Sequence, residues 1–192
     1  MLSVRSTSLR LPADGSLVEL LRGEDRGSAW RVVDLYGDAP FEAKLRWTAA
    51  AGLGPEVLLT VARGTRICVF ARSVSVEARS LVERDVAAGV NIGDSSDATP
   101  TRNVLEVFGQ LVEELDAVQP VTVPVASFAQ TVRLDGEEPS LVLELLNAGG
   151  DVLAKATLAG QPPQGLPLGS AADVRVNAES ASPFRLVFGL AL

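Results

Sequence analysis

Histidine is absent from this 192-residue chain. A Ser–His–Asp triad and a Cys–His pair are therefore impossible, and the commonest general base and metal ligand are missing. Cysteine occurs once, at Cys68, so the chain holds no internal disulfide. Cys68 sits in the apolar run Thr65-Arg66-Ile67-Cys68-Val69-Phe70, which predicts an inert core residue. Lysine is confined to Lys44 and Lys155. The other basic residues are arginines, the type favoured over lysine in protein interfaces. Basic runs are missing and the net charge is −7, which removes the basic face that nucleic-acid binders turn toward phosphate. Aromatics are 5% of residues, leaving few stacking platforms for a sugar. No apolar stretch approaches the roughly 20 residues of a membrane helix, and Met1 to Gly15 lacks a signal peptide's apolar core. These absences predict a protein with no membrane span and no direct nucleic-acid binding, kept in the cytoplasm or in a particle, such as a virion, assembled there.

What is present is strand after strand. Apolar residues are 47% and charged residues 21%, ordinary for a globular protein. A chain of this length buries roughly 70% of its unfolded surface, so one domain over 1–192 needs neither disulfide nor metal. Ala43, Leu45 and Trp47 alternate with Lys44, Arg46 and Thr48; Val74, Val76 and Ala78 alternate with Ser73, Ser75 and Glu77. Val86, Ala88, Val90 and Ile92 repeat the pattern, as do Phe184, Leu186, Phe188 and Leu190. Period two means one dry and one wet face, and it makes Trp30 and Trp47 core anchors. Turn residues punctuate the runs at Pro12-Ala13-Asp14-Gly15, Gly37-Asp38-Ala39-Pro40 and Asn147-Ala148-Gly149-Gly150. Arg63-Gly64 reads as a tight hairpin between Glu56–Ala62 and Thr65–Phe70, and Asp135 to Pro139 as a hairpin tip. Pro124 among Val121, Val123 and Val125 marks an edge strand or a bulge.

One segment reads as helix. Val104, Phe108, Leu111, Leu115 and Val118 recur at spacings of three and four, and Asn103 with Glu106 imitates a capping box. A helix is expected over about 103–118. With a dozen short strands beside it, the fold class is all-β: an antiparallel β-sandwich of jelly-roll or Greek-key type. No internal repeat is visible.

Sites are scarce. Gly93-Asp94-Ser95 imitates the opening of the GDS-type esterase signature, which needs a histidine base. Glu114-Leu115-Asp116-Ala117-Val118-Gln119 resembles the E-x-D-x-x-E motif of a family of β-sandwich glycosidases, but Gln119 stands where a carboxyl is required. Asp94 with Asp97, or Asp135 with Glu137 and Glu138, offers oxygens to calcium without EF-hand spacing. The reading is therefore no catalytic, cofactor-binding or metal residue, and no cofactor.

The strand rhythm resembles that of jelly-roll coat proteins. That resemblance implies a non-enzymatic structural subunit of a shell, coat or capsid, partnered by copies of itself and other shell proteins. Its terminal strands, about 1–11 and 184–192, are the expected contacts. The alternative is a ligand- or carbohydrate-binding β-sandwich module using loops such as Gly93 to Asn103, and a third is an enzyme working through carboxylates such as Glu114.

Overall fold

A computed structural model describes residues 4–49, 52–94, 103–125 and 129–190. Eighteen strands are present and no helix is seen among the described residues. None is therefore long and apolar enough to cross a membrane. The chain divides into two compact units, 1–105 and 106–191.

The first unit holds β1 (Val4–Leu11), β2 (Val18–Leu21), β3 (Ala29–Gly37), β4 (Phe41–Ala49), β5 (Gly52–Val61), β6 (Gly64–Ala71), β7 (Ser73–Ser80) and β8 (Val86–Asp94). Antiparallel pairs nest from the outside inward: β1 with β8, β2 with β7, β3 with β6, β4 with β5. Lateral pairing of β3 with β8 and of β4 with β7 sorts them into the orders β1-β8-β3-β6 and β2-β7-β4-β5. Nested pairs laid out in two such rows of four strands are a jelly roll. The core lies where the alternating sequence puts it. Phe41, Ala43, Leu45 and Trp47 of β4 are buried, with Val33 and Leu35 of β3 and Val86, Ala88 and Val90 of β8. Cys68 is buried, as its apolar run predicts.

β9 (Val104–Gln110) begins at the boundary, with all but its first two residues in the second unit, which continues through β10 (Val112–Glu114), β11 (Ala117–Gln119), β12 (Val121–Pro124), β13 (Ala129–Gly136), β14 (Val142–Leu146), β15 (Val152–Thr157), β16 (Leu166–Pro167), β17 (Asp173–Asn177) and β18 (Pro183–Leu190). β10 and β11 pair only with each other. The remaining eight strands form the orders β9-β18-β13-β16 and β12-β17-β14-β15. Numbered one to eight along the chain, they reproduce 1-8-3-6 and 2-7-4-5. One sandwich was expected across 1–192 and no repeat was visible in the residues; the strands fall into two eight-stranded sets of identical order.

Two local expectations give way. The helix over 103–118 is absent: the segment is β9, β10, a turn and β11. Gly109 explains part of this. A Cβ there would lie 2.1 Å from the Phe184 ring, so glycine lets an aromatic from the neighbouring strand cover the backbone. Leu115 and Asp116, with φ of 52° and 63°, make a turn no right-handed helix accommodates. The Arg63-Gly64 hairpin is also absent. β5 pairs with β4 and β6 with β3, so this turn carries the chain from one sheet to the other. The Asp135 to Pro139 tip likewise joins β13 and β14, which lie in different sheets. Asn147 to Gly150 does turn β14 into β15. There the Asn147 side chain accepts from the Gly149 and Asp151 N–H groups at 2.9 Å. Pro124 does lie on an edge strand, β12.

Candidate functional site

A shallow, solvent-open depression lies at one end of the first unit. It arises where the alternating apolar faces run out. The inward positions of β3 read Leu35, Val33, Arg31; those of β8 read Val90, Ile92, Asp94. Arg5 stands two residues before Thr7 on β1, and Arg72 two residues before Val74 of β7. On β3 and β8 a charge takes the next inward position, and Arg5 of β1 and the exposed Arg72 just before β7 stand beside it, so the sandwich end turns polar around Leu21, Val74 and Ile92.

Ion pairs tie this end to the loop 22–28. Arg31 is only 5% exposed. It donates to the Asp94 carboxylate and to the Gly27 carbonyl at 2.9 Å. Arg72 pairs with Asp25 at 2.6 Å. Glu24 takes Arg26 at 3.0 Å and Arg5 at 3.3 Å. The hydrogen bond from Arg26, followed by the charge of Arg5, holds the Glu24 carboxyl below its ordinary range. The Gly27 N–H, with help from Arg72, does the same for Asp25. Arg22 lines the pocket and has no ion-pair partner among the described residues. Five arginines face three carboxylates, Glu24, Asp25 and Asp94, which leaves a local surplus of two positive charges on a chain of net charge −7. Arginine stays protonated at any working pH, so the pocket is suited to holding an anionic group rather than to moving protons.

The residues singled out in sequence are scattered. Asp94 is committed to Arg31, and Ser95 and Asp97 lie outside the described residues, as does most of the Gly93 to Asn103 loop. Asp135 accepts from Arg133 at 3.0 Å and Arg185 at 2.6 Å. Burial works to raise its carboxyl, and these two arginines outweigh burial and keep it low. Glu138 accepts from the Ser140 hydroxyl at 2.9 Å, and Glu137 is exposed. Glu114 and Gln119 stand on the exposed β10–β11 hairpin. Among the described residues no three His, Cys, Asp or Glu side chains are grouped to hold a metal. Trp47 is buried in the core, and Trp30 meets Phe70 edge-on with ring centres 5.6 Å apart. The arginine pocket escaped notice in the sequence. Its signal is parity: on β3 and β8 a charge stands two residues beyond the last inward apolar residue.

The terminal strands are placed within their own units. β1 pairs with β8 through eight consecutive residues. β18 lies between β9 and β13.

No family model and no curated protein matches the chain. Among solved structures, the protein YhaK from Escherichia coli is 12% identical, with a TM-score of 0.31 over 99% of this chain and 86% of that one. An oxalate decarboxylase variant from Bacillus subtilis is 9% identical, with a TM-score of 0.30 over 97% and 68%. A chain of Sulfolobus Turreted Icosahedral Virus is 9% identical, with a TM-score of 0.29 over 94% and 58%. Likenesses this distant carry no argument about function, and the jelly-roll assignment rests on the strand pairing of this chain.

Proposed function

We propose that the chain is a non-catalytic structural subunit, a tandem jelly-roll building block that assembles with copies of itself into a shell, coat or capsid-like particle. One observation carries the reading: β1 is a long, regular edge. An edge strand presents unpaired N–H and C=O groups, and proteins that stay monomeric blunt such edges with shortness, proline, bulges or charge. β2 has four residues and a bulge, β12 has Pro124, and β16 has two residues. β5 and β15 each meet their neighbour through a bulge. β1 runs eight residues in unbroken register with neither proline nor bulge, and its two charges, Arg5 and Arg10, lie near its ends. No described strand pairs with its outer side. Of the two terminal strands, β1 is thus the one open to a neighbour, since β18 is flanked on both sides.

Size-exclusion chromatography with light scattering, followed by negative-stain electron microscopy, tests this. Regular particles, rings or tubes are expected, and Ser6→Lys with Ser8→Lys should reduce them by placing like charges along the paired edges. A monomer at every concentration would sink the proposal.

A further inference from the structure

The β10–β11 hairpin serves neither jelly roll. It is an insertion between the first and second strands of the second unit, and its strands pair only with each other. Seven of its eight residues from Val112 to Gln119 are exposed, and Val118 is half-buried. Leu115, at its tip, is 100% exposed with a φ of 52°. A bulky residue at positive φ is a genuine outlier, because such turns favour Asn-Gly. Exposure of a large apolar side chain on strained backbone has no use within the monomer, and strain of this kind concentrates where a segment engages something else. The hairpin also carries Glu113, Glu114 and Asp116 and no cation.

The complement lies in the first unit. The depression offers a rim with surplus positive charge around Ile92 and the largely buried Leu21 and Val74. We propose that the hairpin of one copy docks over this end of a second copy, with the hairpin carboxylates against the rim arginines and Leu115 covering the apolar centre between them. An apolar anchor ringed by matched charges is the usual anatomy of a specific contact. Each chain has one hairpin and one pocket, so the contact runs head to tail and closes into rings or extends into chains. This inference rests on the assembly reading above and names a second contact for it.

Charge reversal decides the matter. In light scattering across a concentration series, Glu113→Arg/Glu114→Arg/Asp116→Arg and, separately, Arg22→Glu/Arg26→Glu should each weaken association by roughly tenfold or more. Mixing the two reversed proteins should restore it. A wild type that assembles while both reversals leave it unchanged, or losses that mixing fails to rescue, would overturn this contact and leave the assembly reading standing. A wild type that stays monomeric overturns both. Leu115→Gly gives an independent arm: it relaxes the turn, so the melting temperature should rise while association falls. A higher melting temperature with unaltered association would also overturn the contact.

Discussion

The two units carry one strand order on different amounts of strand. In the first, seven of eight strands have eight residues or more; in the second, only β13 and β18 reach eight, and β16 has two. Both nevertheless sort as 1-8-3-6 and 2-7-4-5. Strand length and residue identity therefore do not set the order. What the units share is nested antiparallel pairing and an apolar inner face, and those suffice. Their charges are used differently. The first unit gathers arginines at an open end of the sandwich. The second lays its strongest network across a sheet: Glu144 of β14 takes Arg175 of β17 at 2.7 Å and Lys155 of β15 at 3.3 Å. Asn177 adds a hydrogen bond at 2.9 Å.

The sharpest way to break the comparison is to empty each core in turn. Trp47→Ala in the first unit and Phe188→Ala in the second each remove a fully buried ring, at a cost of about 3–5 kcal/mol. If the units are separately cooperative, calorimetry will show two transitions, and each substitution will move only its own. A single transition displaced equally by both would mean that the two jelly rolls fold as one.

The next effect is electrostatic. Burial works to raise the Glu144 carboxyl, but Arg175 and Lys155 outweigh it and hold it low, as Arg133 and Arg185 do for Asp135. A depressed carboxyl contributes stability above its unfolded value, about pH 4, and that contribution disappears as pH falls through the folded value. The low carboxyls of the first unit, Asp14, Glu24, Asp25 and Glu56, are surface groups, whose pairs are screened and weak. Hydrogen exchange between pH 5 and 2.5 should therefore show the second unit losing protection first. Glu144→Ala should cost about 2 kcal/mol at pH 7, less than a fully buried pair because Lys155 is largely exposed. Equal acid loss in the two units would remove this distinction.

The smallest effect belongs to the hairpin. Leu115→Gly should stabilise the second unit by about 1 kcal/mol by relieving the left-handed backbone, measured by denaturant melts at concentrations too low for association. A destabilised protein would mean that Leu115 supports its own chain.

Residue patterns made the local part of this legible. Alternation in β4, β7, β8 and β18 marked both faces of each strand, Cys68 and Trp47 read as core, and Pro124 read as edge. Period two is a property of neighbouring residues, so one chain displays it fully. Without histidine, the chemistry of triads was closed from the start. Other features depend on residues far apart in the chain. Arg63-Gly64 has the composition of a hairpin and is a corner between sheets, because turn chemistry specifies a reversal and not the strands that it joins. Residues 104–118 mimic a helix because strands, a turn and a glycine covered by Phe184 together space apolar residues at three and four. The arginine pocket exists because nested pairing brings the starts of β1, β3 and β7 to the end of β8. Whether a strand is an edge, a repeat or part of a pocket is decided by what lies beside it, and only the folded chain supplies those neighbours.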